Sequence, residues 1–240
     1  MSTPRLVIVK LIGGLVDHRY LDGAVFQHLW ARLPAFFEEH AESAALEADI
    51  AALRAEADEE RASGRADFVH FPSDVSPQRL REAAVTAVRT KLQESRHTPA
   101  VVSVCGHLML EAFAAGTLRP QVYADCRAAL QRWSASDGAV AVYDGLSAPV
   151  QREWLRAGPL GDLTPHVTRF LEIDERTARE GSAFAVLAQE VGLPAVVATD
   201  RTFDALAASR RGLDAVVLER GGVFGGAPHG LRVETNLLGV

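Results

Sequence analysis

The 240-residue chain sets 25 Lys and Arg against 31 Asp and Glu, a formal net charge of −6, and is 48% hydrophobic and 23% charged. That balance supports a packed globular core and argues against a nucleic-acid surface, which needs excess cationic charge to release counterions from phosphates. Cys105 and Cys126 are too few for a disulfide framework and have no zinc-ligand spacing, so both are expected to be reduced and buried. The first apolar run is cut at Lys10, and no stretch approaches the about 20 apolar residues of a membrane span. A cytoplasmic chain with no membrane or nucleic-acid partner is expected.

The stretch from Arg5 to Lys10 reads as a buried parallel strand that ends on a lysine and breaks at Gly13-Gly14. In open α/β sheets the crevice beyond the strand ends holds the ligand, so Lys10 is placed over a site. From Leu21 to Phe37, Val25, Phe26, Leu29, Leu33 and Phe36 recur at helical intervals, and residues 41–62 are rich in helix formers. Ser76-Pro77 opens another helix, Thr98-Pro99 ends it, and a last helix runs from Val101 to Gly116. Residues 21–116 therefore read as a helical insertion. Beyond it, strands at 139–143, 167–173, 195–198 and 215–218 alternate with helices at 125–134, 148–157, 183–191 and 204–211. The expected fold is α/β, a doubly wound, mainly parallel Rossmann-like sheet formed by residues 1–20 and 117–240, with a helical cap inserted after the first strand.

Several segments carry a resemblance. Arg32-Leu-Pro-Ala-Phe36 resembles an R-L-P-x-F element, and Ala115-Gly-x-Leu-x-x-x-Val-Tyr-x-Asp125 an S-G-x-L-x-x-x-V-Y-x-D element. Gly161-Asp-Leu-Thr-Pro165 and Thr199-Asp200 are similar to G-D-L-T-P and S-D. In this order they resemble the haloacid dehalogenase superfamily, and within it the enolase-phosphatase family. The resemblance implies the same fold, and a phosphatase with Mg²⁺ held between a first-strand Asp and a later Asp.

The chemistry departs from that pattern. Where the family carries D-x-E-G-T-T, this chain has Lys10, Ile12, Gly13, Gly14 and Leu15, so the attacking carboxylate and the proton donor are missing. The phosphoryl-binding Ser is Asp144, and the charge-steadying Lys corresponds to Ala178. The later metal-binding Asp remains as Asp200, with Asp204 nearby. Lys10, Asp144 and Asp200 come from three strand ends and are the candidate catalytic residues, with the Lys10 ammonium expected within about 4 Å of Asp200 in the place of a metal. No metal and no cofactor are expected.

Three readings follow. Lys10 can neutralise the two carboxylates in a silent site, the cluster can be repurposed for acid–base or Schiff-base chemistry on a small metabolite, or a residual Mg²⁺-dependent enolase-phosphatase can persist. An open cleft with Lys10 exposed favours an enzyme, whereas burial of Lys10 among Ile12, Leu15 and Leu146 favours the silent site. Candidate ligand contacts are His18, Arg19, His107, Gly145, Ser147 and Asp204. Further readings place His70 in a lid or plug, Tyr20, Trp30 and Arg32 at the cap opening, and a flexible loop at Gly221–Gly226.

Overall fold

The computed structural model describes residues 5–66, 68–72, 75–135, 138–220 and 230–240; the glycine-rich stretch at 221–226 lies outside them. β1 (Leu6–Lys10) is buried at every position: parallel strands pair with both of its edges, and in such a sheet the crossover helices cover the two faces. After it the chain turns through Gly13, whose φ of 88° suits glycine, and enters the short helix α1 (His18–Tyr20), capped by Asp17. The helix expected from Leu21 instead opens with a π-helical stretch, Leu21–Val25.

Four longer helices follow: α2 (Phe26–Glu39), α3 (Ala44–Ala62), α4 (Pro77–Gln93) and α5 (Pro99–Ala114). Pro77 and Pro99 each stand at a helix start, where the missing N–H costs nothing. Thr98-Pro99 thus opens α5 and does not close the preceding helix, which has already ended at Gln93 with Glu94 as its C-cap. In this unit α2 packs on α4 and α5, and α3 on the same two helices. Leu33, Phe37, Leu53, Val88 and Val104 are fully buried.

Beyond them come α6 (Cys126–Ser134), β2 (Ala139–Asp144), α7 (Ala148–Arg156), β3 (Arg169–Glu172), α8 (Glu175–Glu180), α9 (Ser182–Val191), β4 (Ala195–Thr199), α10 (Thr202–Arg210), β5 (Asp214–Leu218) and β6 (Arg232–Glu234). Among the described residues these strands form a six-stranded sheet in the order β3-β2-β1-β4-β5-β6, with every pairing parallel. Parallel strands all end on one side, so the residues that follow β1, β2 and β4 converge. The sequence reading contains neither α8 nor β6. The chain divides into two compact units: a sheet unit running to Gly23 and resuming at Arg119, and a helical unit, Ala24–Leu118. Among the described residues no helix is long and apolar enough to cross a membrane.

Candidate site at the strand ends

In the register of the sheet, Lys10 lies opposite Tyr143, which puts Asp144 one residue beyond it on the neighbouring strand. The Lys10 Nζ donates to Asp144 Oδ2 at 3.0 Å, and the Ile12 backbone N–H donates to the same oxygen at 3.1 Å. Both charged side chains are nearly out of water, with 8% and 10% of their surface exposed. Ile12 and Leu15 beside them are buried and Leu146 is half-buried.

The expected contact between Lys10 and Asp200 is not formed, and this corrects the sequence reading. Asp200 follows β4 directly, but its carboxylate lies against Gly13, where a Cβ would collide with it. There Asp200 Oδ2 meets His18 Nε2 at 2.5 Å. The turn after β1 therefore presents His18 to Asp200, while Lys10 reaches across to β2.

The His18 pKa is raised, first by its hydrogen bond to Asp200, against burial and the nearby Lys10 charge. Its side chain is 46% exposed and that of Asp200 9%, so the pair has a wet and a dry end. Behind them the Tyr143 hydroxyl donates to Asp204 Oδ2 at 3.1 Å. Burial raises the pKa of the Asp204 carboxyl and holds the Tyr143 phenol well above its ordinary range. Asp200 Oδ1 and Asp204 Oδ1 are buried without a hydrogen-bond partner.

The other candidates separate. Arg19 is exposed and holds Asp17, Gly145 is exposed, and Ser147 precedes α7 without making a side-chain cap bond. His107 lies in the helical unit, paired with Asp49. Tyr20 meets the Trp154 ring edge-on, Trp30 stacks on Phe26, Arg32 pairs with Glu39, and His70 is exposed. Both cysteines are buried, and burial pushes each thiol up to about 12. Gln151 was missed by sequence reasoning. Fully buried, it donates to the Leu146 and Leu171 carbonyls and braces the loop after β2. Its polar character on the inner face of α7 was the available signal.

Enolase-phosphatase E1 of Pseudomonas aeruginosa (strain UCBPP-PA14) is 26% identical to this chain over 193 residues, covering 80% of this chain and 78% of that one. Enolase-phosphatase E1 of Sorangium cellulosum (strain So ce56) is 29% identical over 189 residues, covering 79% and 75%. Among solved structures, the UTR4 protein of Saccharomyces cerevisiae superposes with a TM-score of 0.69 at 14% identity, covering 97% of this chain and 98% of that one. A putative beta-phosphoglucomutase from Thermotoga maritima gives 0.53 at 13% identity, covering 97% and 94%. These structural likenesses establish the fold. No family model matches the chain.

Proposed function

We propose that this chain, similar to the enolase-phosphatases at 26% and 29% identity, is a haloacid dehalogenase superfamily protein whose strand-end site has lost phosphoryl-transfer chemistry and binds a small metabolite. The observation that carries this reading is the buried Lys10–Asp144 pair at 3.0 Å. Position 10 supplies an ammonium where the resemblance implies an attacking carboxylate, and that ammonium is committed to neutralising Asp144. A phosphate dianion brought to Asp144 would find neither a free cation nor a hydroxyl donor, because the ammonium is already held by the carboxylate and a carboxylate only accepts. Ile12 offers no proton for a leaving group.

The residues present do not fit the divalent ion that the resemblance implies. Among the described residues no three His, Cys, Asp or Glu side chains are grouped to hold a metal. The unpartnered oxygens of Asp200 and Asp204 fall short of an octahedral set, and Lys10 brings a positive charge in place of a ligand.

A second reading, proton transfer on the bound metabolite, is favoured by the His18–Asp200 pair, whose imidazole is half in water while a buried carboxylate orients it. Schiff-base chemistry at Lys10 is less well supported, since the amine would have to leave Asp144 buried and uncompensated. Incubation of the protein with p-nitrophenyl phosphate and MgCl₂ tests the main proposal. The expected result is no release of nitrophenol above the protein-free rate; Mg²⁺-dependent turnover abolished by Asp200→Ala would overturn it.

A further inference from the structure

Within the helical unit, Phe36, Leu46 and Leu110 wall a cavity of about 220 Å³ whose polar residues are His40, Ser43, His107 and Glu111. We propose that this cavity is a binding site for a small planar hydroxy compound of the phenol class, with His107 as the acceptor for its hydroxyl.

The carboxylate of Asp49, on α3, is buried. Burying an ionised carboxylate is costly unless its oxygens are bonded, and both are. Oδ1 accepts from the Ser103 hydroxyl at 2.7 Å, and Oδ2 lies 2.9 Å from His107 Nδ1. A carboxylate only accepts, so the proton of the neutral imidazole is on Nδ1 and Nε2 keeps a free lone pair. The same bonds fix the ring orientation, as a carboxylate behind a histidine does in many functional sites. The His107 side chain remains 39% exposed and lines the cavity.

The rest of the lining narrows the ligand. His40 and Glu111 are paired with each other, so neither is a free charge at the rim. Ser43 is the N-cap residue of α3, yet its side chain makes no capping bond, which leaves the hydroxyl to donate to a ligand oxygen. The Phe36 and His40 rings lie 4.7 Å apart at a tilt and give one side of the cavity flat surfaces. A single ring fits this volume, which is below that of most drug-sized pockets. An anionic ligand would find no unpaired cation in the lining, since His40 is held by Glu111 and His107 by Asp49, whereas a neutral hydroxyl can donate to His107 Nε2 and accept from Ser43.

Fluorine NMR of the full chain with 4-fluorophenol and with 4-fluorotoluene, at about pH 8.5, above the ordinary imidazole range, tests this. Saturable binding of 4-fluorophenol is expected, with 4-fluorotoluene roughly tenfold weaker, the factor a single hydrogen bond carries. In His107→Leu that preference should vanish, and in Leu46→Trp, which fills the cavity, both ligands should be lost. Absence of saturable binding, equal affinity for the two compounds, or an unchanged preference in His107→Leu would overturn the proposal. Because the two ligands are compared on the unaltered protein, the result stands even where a variant fails to fold.

Discussion

Replacing Lys10 by Met would leave Asp144 with the Ile12 N–H as its remaining partner and no counter-charge within a buried setting. Breaking one half of a buried pair costs far more than the pair itself contributes, on the order of 3–5 kcal/mol. Urea unfolding of Lys10→Met should show that loss, and Lys10→Met/Asp144→Leu should recover most of it, because an apolar pair needs no compensating charge. A single variant as stable as the parent would remove the energetic basis of the ion pair. His18 and Asp200 are a different case, since one partner is half in water and its charge is partly screened. The contrast separates a buried pair whose breaking is costly from a half-solvated pair whose breaking costs less.

At the scale of one helix, α2 contains Pro34, which has no N–H to offer the carbonyl four residues earlier. That carbonyl belongs to Trp30, and it accepts instead from Arg89 Nη2 of α4 at 2.8 Å, with the guanidinium also lying over the Trp30 ring. The break in one helix is thereby used to bind the next. Arg89→Met should cost about 1–3 kcal/mol, the penalty for an acceptor that loses a charged donor. With Pro34→Ala, which restores the intrahelical donor, the same change should cost less. Chemical denaturation of the four species in a double-mutant cycle measures this coupling, and strictly additive losses would refute it.

Across the whole molecule, the sheet unit is discontinuous in sequence. Its central strand β1 precedes the helical unit, while β2 and β4, which flank it, follow. The helical unit is continuous and carries its own buried set, including Leu33, Leu53, Val88 and Val104. A fragment of residues 24–118 should therefore retain helical circular dichroism and unfold cooperatively. A fragment of residues 119–240 should not fold, because removal of β1 leaves β2 and β4 without their shared neighbour and exposes two strand edges. A cooperative transition in the second fragment would contradict this account.

Much of the sheet was legible in the sequence because the period of burial is local. β1, β2, β4 and β5 are short apolar runs between turn residues, and their parallel pairing follows from the helices between them. That Lys10, Asp144 and Asp200 stand at one edge of the sheet was legible for the same reason, since parallel strands end on one side, but the contact expected between Lys10 and Asp200 was not. α8 escaped because only Ala178 on it is buried and it shows no apolar stripe, though Asp174 capping Thr177 N and Gly181 at φ 69° mark its two ends. β6, three residues of Arg232-Val-Glu234, is too short to show a period. Sequence by itself determined the fold and the lysine at the end of the first strand, because each depends on residue type and order along the chain. Tertiary structure decided that Lys10 answers Asp144 while His18 answers Asp200, because that choice depends on where the turn at Gly13 lays the Asp200 carboxylate, a contact between residues far apart in the chain.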